Sequence, residues 1–246
     1  MENDFFLKQI NESYQYFNHW LYSNESLDEN ESIVKNSIYC KLHDKFWEDH
    51  LATTNDPESY LHNCIGCGLD EGANNVNYFL ETNKECNNIR YYLTIYSLLF
   101  YIQAEKIGVI YNEIGFRTHK NEFDWNQFPN LKMIKNWANF FKHPKSYMFL
   151  HHPTFYLESD SNNPNFMLTE IIDNNFIQQF YKAGAKNDEL RNKLINQENV
   201  KVFFPDLLST TKLLCEEFEK IITLIINDEL IFEKLKIFNK VDYDTE

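Results

Sequence analysis

Apolar residues recur at helical spacing over several long stretches of this chain, and that periodicity restricts the fold more than any other feature. Between residues 85 and 115, Ile89, Leu93, Tyr96, Leu99, Ile102, Ile107 and Ile110 form one stripe, read at about 100° per residue. From Pro205 onward, Leu207, Thr211, Leu214, Phe218, Ile221 and Ile225 form a second, and a proline suits a helix's first turn. Near the start, Phe6, Ile10, Tyr14, Phe17 and Leu21 form a third, and Val34, Ile38, Leu42, Phe46 and Trp47 extend the pattern over 32–51. Six glycines and six prolines are too few for a sandwich or barrel that must turn often. The spacing therefore predicts a mainly α protein built as a helical bundle.

Only two runs are β-like by composition, 146–157 (SYMFLHHPTFYL) and Val200–Phe204. Between them lie two short helical candidates, 174–183 and 188–197. The expectation is one domain over 1–246, with an N-terminal helical extension at 1–80. A bundle core at 81–145 and 205–240 surrounds a small β-bearing insertion at 146–204, before the last long helix. Thr82-Asn-Lys-Glu85 has the form of a capping box and places the start of the long middle helix there. Residues 52–73, with Asn-Asp-Pro at 55–57 and Gly66, Gly68 and Gly72, read as irregular.

Charge separates one segment from the rest. The formal net charge is −14, yet the run Trp125–Leu157 contains no acid. It begins with Pro129–Pro144, PNLKMIKNWANFFKHP. On a helical wheel Lys132, Lys135, Asn136, Asn139, Lys142 and His143 share one arc of about 120°. Leu131, Met133, Ile134, Trp137, Ala138, Phe140 and Phe141 fill the other side and are expected in the core. A face of cations, amides and an imidazole, with Lys145 just beyond it, suits phosphate or another anion. The overall acidity argues against broad coating of nucleic acid, because such binding must neutralise many phosphates. His151-His152-Pro153 is read as a β-turn.

His62-x-Cys64-x-x-Cys67, with Cys86 further on, has the spacing of a zinc knuckle. No second close pair completes it, although Cys40, His43 and His50 are available. The thiols are expected to be free and no metal or cofactor is expected. Glu216-Glu217 reads as a surface pair. There is no G-x-S-x-G, glycine-rich phosphate loop, H-E-x-x-H or dinucleotide fingerprint. No uninterrupted apolar run of about 18 residues suggests a membrane span. The opening MENDFF carries acids where a signal peptide has bases, so the chain is expected in the cytoplasm.

Ala138-Asn139-Phe140-Phe141-Lys142-His143 resembles the R-x(4–6)-H signature of the HEPN superfamily, commonly Arg-Asn-x-x-x-His, near the end of a helix between two long helices. Asn139 and His143 match the motif's Asn and His, and Ala138 stands where the motif has Arg. The resemblance covers about half the chain, from Glu85 to Asn227 less the insertion. It implies a HEPN-like helical bundle, and an RNA-binding or metal-independent ribonuclease module of a bacterial antiphage-defence or toxin–antitoxin system. It also implies work as a homodimer. His143 and Asn139 would be the catalytic pair, and Lys132, Lys135, Lys142 and Lys145 would bind RNA or a nucleotide in place of the missing Arg. Restoring an arginine at 138 would then be expected to raise activity. The alternative is a non-catalytic helical regulator or scaffold that binds a partner protein, such as an antitoxin.

Overall fold

A computed structural model describes residues 2–27, 33–53, 64–111, 125–142, 167–173 and 199–233. The protein is mainly α. Its helices are α1 (Glu2–Leu21), α2 (Cys40–Thr53), α3 (Cys64–Thr82), α4 (Ile89–Tyr111), α5 (Pro129–Lys142) and α6 (Leu207–Asn227). A 3-10 turn at Trp125–Gln127 leads into α5, and a further helical turn at 229–233 follows α6. Two antiparallel strand pairs complete the described elements. β1 (Asn24–Leu27) pairs with β2 (Ile33–Asn36), and β3 (Met167–Asp173) pairs with β4 (Asn199–Phe204).

One continuous core runs from α1 to the turn after α6. The N-terminal helices, expected to pack as a fourth side of the bundle or as an extension, wall that core. α1 lies against α6 and α3, α4 lies between α3 and α5, and α6 also packs on α2 and α5. Phe6, Ile10, Phe17 and Leu21 are buried, as the stripe on α1 demands. Rings carry the contact between layers. Phe100 of α4 meets Phe17 of α1 at 5.4 Å and Phe218 of α6 at 6.3 Å. β4 enters the same core through Val202 and Phe204, and Phe204 lies 4.8 Å from Trp137 and 6.1 Å from Tyr96.

Polar side chains set the register of α1 on α3. Asn11 reaches the Lys84 carbonyl, Tyr14 the Glu81 carboxylate, and Tyr22 the Asn74 amide oxygen, while Asn77 donates to Asn18. The four pairs step along the two segments in opposite directions at intervals of three or four residues, about one turn, so a slip of one turn breaks all of them. Lys84 adds its ammonium 4.1 Å from the Tyr14 ring centroid.

Several local expectations are corrected. The helix expected over 32–51 begins only at Cys40, because 33–36 pairs as β2 and Ser37 turns the chain, accepting from the Tyr39 and Cys40 amides. Residues 64–73, read as irregular, are helical. α4 packs closely on this start of α3: Lys106 donates to the Gly68 carbonyl at 2.9 Å, and Gln103 donates to the Leu69 carbonyl at 2.8 Å and the Tyr39 hydroxyl at 3.0 Å. A Cβ at Gly72 would overlap the Gln103 side chain. Thr82–Glu85 ends α3 rather than capping α4. The cap is Asn88, whose Oδ1 accepts from the Tyr91 amide at 3.0 Å. β3 was not foreseen, and β4 contains the β-like run at 200–204. The β-like run at 146–157, the helical candidates at 174–183 and 188–197, and His151-His152 lie outside the described residues.

By length and composition, Ile89–Ile110 would suffice to cross a membrane, with mean hydropathy 1.3, against the expectation that no segment does. Tyr92, Leu93, Tyr96, Phe100, Ala104 and Ile107 on this helix are buried in the bundle. Its apolarity is spread around the helix rather than confined to one face, so Ile102, expected inside, is 47 % exposed.

Candidate functional site

α5 folds as its sequence pattern requires. Leu131, Ile134, Trp137, Ala138 and Phe140 are buried, with Met133 and Phe141 packed at the edge of the core. The opposite arc presents Lys132 and Lys142 to solvent and Lys135, Asn136 and Asn139 part-exposed. Lys132 and Lys142 are ten residues apart, about 15 Å along the axis. The face is thus a narrow cationic ridge one helix wide.

Lys132 donates to the Asn126 side chain at 2.7 Å, and the Lys142 ammonium lies 5.2 Å from the centroid of the Tyr101 ring on α4. The Tyr101 hydroxyl in turn donates to Glu105 at 2.7 Å. Partial burial, followed by that hydrogen bond and the carboxylate's charge, pushes the Tyr101 phenol up to about 12. Tyr101 therefore stays neutral at physiological pH, and Glu105 places an acid near the C-terminal end of the ridge.

The N-terminal end of α5 is closed by the protein itself. Pro129 has no amide hydrogen, and the Lys132 amide already bonds the Phe128 carbonyl at 3.0 Å. That leaves the amides of Asn130 and Leu131 in need of acceptors. Glu217 of α6 supplies both: Oε1 accepts from the Asn130 amide at 3.0 Å and its side-chain amide at 2.7 Å, and Oε2 accepts from the Leu131 amide at 2.8 Å. The expectation that Glu217 lies at the surface is corrected, since it is buried. A helix N-terminus attracts anions, and here an internal carboxylate takes that position. The sequence held one signal for this: Glu217 stands three residues after Leu214 and four before Ile221, on the buried stripe of α6.

Of the residues singled out from the sequence, Lys132, Lys135, Asn139 and Lys142 share the solvent side of α5. His143 and Lys145 lie outside the described residues. Ala138, in the motif's arginine position, has 0 % exposure and faces the core. Cys67 and Cys86 do not share one centre. Cys67 and Cys86 lie toward opposite ends of α3, about 22 Å of helix separating Cys67 from Thr82, and Cys86 donates to the Asn88 carbonyl beyond it. His62 lies outside the described residues, and Cys64 is the first residue of α3. Cys40, Cys67, Cys86 and Cys215 are unbridged. Burial pushes the Cys215 thiol up, and the Cys40 thiol is raised first by burial and then by Asp70 and Asp44. Among the described residues, no three His, Cys, Asp or Glu side chains converge as ligands of one metal ion. Comparison of the chain with protein-family models, curated proteins and solved structures finds no match.

Proposed function

We propose that the cationic ridge of α5 binds RNA, and that the chain is a HEPN-like module of a bacterial antiphage-defence or toxin–antitoxin system acting in the cytoplasm. One observation carries this reading: Lys132, Lys135, Asn136, Asn139 and Lys142 share the outer side of a helix whose inner side is core, in a protein of net charge −14. The lysines would contact phosphates, and Asn139 would position a phosphate or the imidazole of His143. Cleavage without metal needs proton transfer at the ribose 2′-hydroxyl and a cation near the phosphorane. Imidazole suits the first role at neutral pH. Lysine serves the second less well than arginine, because an ammonium lacks the bidentate fork.

The test is binding and cleavage of total RNA and tRNA in the presence of EDTA. Changing Lys132, Lys135 and Lys142 to Ala is expected to weaken binding and to flatten its salt dependence by about 0.7 in log–log slope per lost phosphate contact on a single strand. If the module cleaves, His143→Ala removes about 10²-fold or more of the activity. Wild type that neither binds nor cuts RNA would falsify the proposal.

A second reading is favoured by the burial of Ala138 and by Glu217 at the α5 N-terminus. Both remove a place where a phosphate would be held most firmly. On this reading the chain is a non-catalytic helical scaffold and α5 meets an acidic partner protein. RNA binding without cleavage, with acidic-protein binding lost on the same lysine changes, would favour it.

A further inference from the structure

α3 and α4 leave between them a groove of about 470 Å³ that the RNA reading does not use. Among the described residues its walls are Leu69, Ile102, Val109, Ile110 and the bare backbone of Gly68. These side chains are all aliphatic, and the volume is that of a small-molecule site. A Cβ on Gly68 would meet nothing within 4 Å, so that wall is open. Two charged groups, Glu105 and Lys106, complete the lining. They differ in position and in what they already hold. Around α4, Ile102, Lys106 and Ile110 follow one another toward α3, while Glu105 stands about 100° from Lys106 on the Tyr101 side. Glu105 is exposed and accepts from the Tyr101 hydroxyl at 2.7 Å. Lys106 is half-buried, and a Cβ on Gly72 would lie 3.3 Å from its ammonium, which is thus drawn in between the helices. Among the described residues its partner is a neutral group, the Gly68 carbonyl at 2.9 Å. An ammonium partly withdrawn from water among aliphatic side chains is costly without a counter-charge. What the groove lacks is an anion.

We propose that this groove binds a medium-chain aliphatic carboxylate, its head on Lys106 and its chain against Ile102, Val109 and Ile110. Lys106 uses one proton on Gly68 and keeps two for the carboxylate oxygens. Its ammonium lies near Gly72 and Gln103, at the Ile102 end of the groove. From Ile102 to Ile110 the helix rises about 12 Å, which suits an extended chain of medium length. No hydroxyl, amide side chain or ring is among the described wall residues, so nothing there recognises a polar or aromatic body. Glu105, on the far rim, repels a carboxylate and so directs the head to Lys106.

The site is independent of the RNA reading, and its readout is heat. Calorimetric titration with decanoate, kept below its micelle concentration, is expected to show one saturable site per chain. Octanoate and hexanoate should bind more weakly, by about fourfold for each methylene removed. Lys106→Gln should weaken decanoate by about tenfold or more, the loss of a charge-assisted hydrogen bond. Glu105→Gln should not weaken it. Gly68→Leu places a side chain through the open wall into the groove, and should abolish binding with an unchanged circular dichroism spectrum. That variant decides the matter if Lys106→Gln fails to fold. Decanol or decylamine bound as tightly as decanoate overturns the proposal. So does decanoate binding that survives Gly68→Leu, or a wild-type chain that takes up no decanoate and instead co-sediments with phosphatidylcholine vesicles.

Discussion

Glu217 and Asn130 are joined twice, by the backbone amide at 3.0 Å and by the side-chain amide at 2.7 Å, both to the same carboxylate oxygen. The orientation of α5, and with it the cationic ridge, is thus fixed from the last long helix. Glu217→Gln keeps the size but turns a donor toward one of the two backbone amides. It is expected to cost about 1–3 kcal/mol, read as a lower urea midpoint. Glu217→Ala should cost at least as much, and an unchanged midpoint in either variant would contradict the cap.

Gly68 and Gly72 of α3 should respond oppositely to alanine. At Gly72 the new methyl displaces Gln103, which then gives up bonds to Tyr39 and Leu69. A loss of about 1–3 kcal/mol is expected. At Gly68 nothing stands in the way, and alanine gains up to about 1 kcal/mol from helix propensity. Thermal melts of the two variants check the contrast, and stabilisation by Gly72→Ala would show that the crossing is looser than described.

Ala138→Arg tests whether the arginine of the HEPN signature can be restored. With 0 % exposure at this position, the guanidinium would enter a packed core without a counter-charge. The variant is expected to lose more than about 3 kcal/mol and to gain no ribonuclease activity, contrary to what the motif alone suggests. A folded variant with raised cleavage would reverse both points.

Alkali should expose Tyr101. Its phenol is raised from 10.0 to about 12 by burial and by Glu105, so the folded chain holds that proton more tightly than the unfolded chain. The stability this confers is complete below pH 10 and lost as pH climbs from 10 to about 12. Tyr101→Phe should therefore reduce the fall in urea midpoint between about pH 9 and about pH 11. An identical fall in wild type and variant would show that Tyr101 does not hold its proton in this way.

How far the sequence could be read depended on the range of the interaction. The stripes of α1 and α6 and both faces of α5 are local patterns, and the core residues follow them closely. The start of α3 was hidden because Gly66, Gly68 and Gly72 look like loop residues. The role of Gly72, making room for Gln103 and Lys106, depends on a helix more than thirty residues away. The Thr82–Glu85 motif misled because a local match cannot tell a helix end from the next helix start. Glu217 looked like half of an acidic surface pair because the amides it caps are 86 and 87 residues upstream. For the candidate site, the cations were legible as a face. The burial of Ala138 was legible as well, but it followed from the stripe and against the motif.

Gln9, in the first helix, accepts from the Leu208 amide at 3.0 Å, a closure across 199 residues. During synthesis α1 emerges well before α6, so Phe6, Ile10, Phe17 and Leu21 have only the part of their native cover that α3 and α4 supply until α6 has left the ribosome. Chains interrupted before residue 207 would present this sticky stripe to one another. A chain cut short between α1 and α6 is therefore expected to be an aggregation-prone fragment rather than a smaller folded protein.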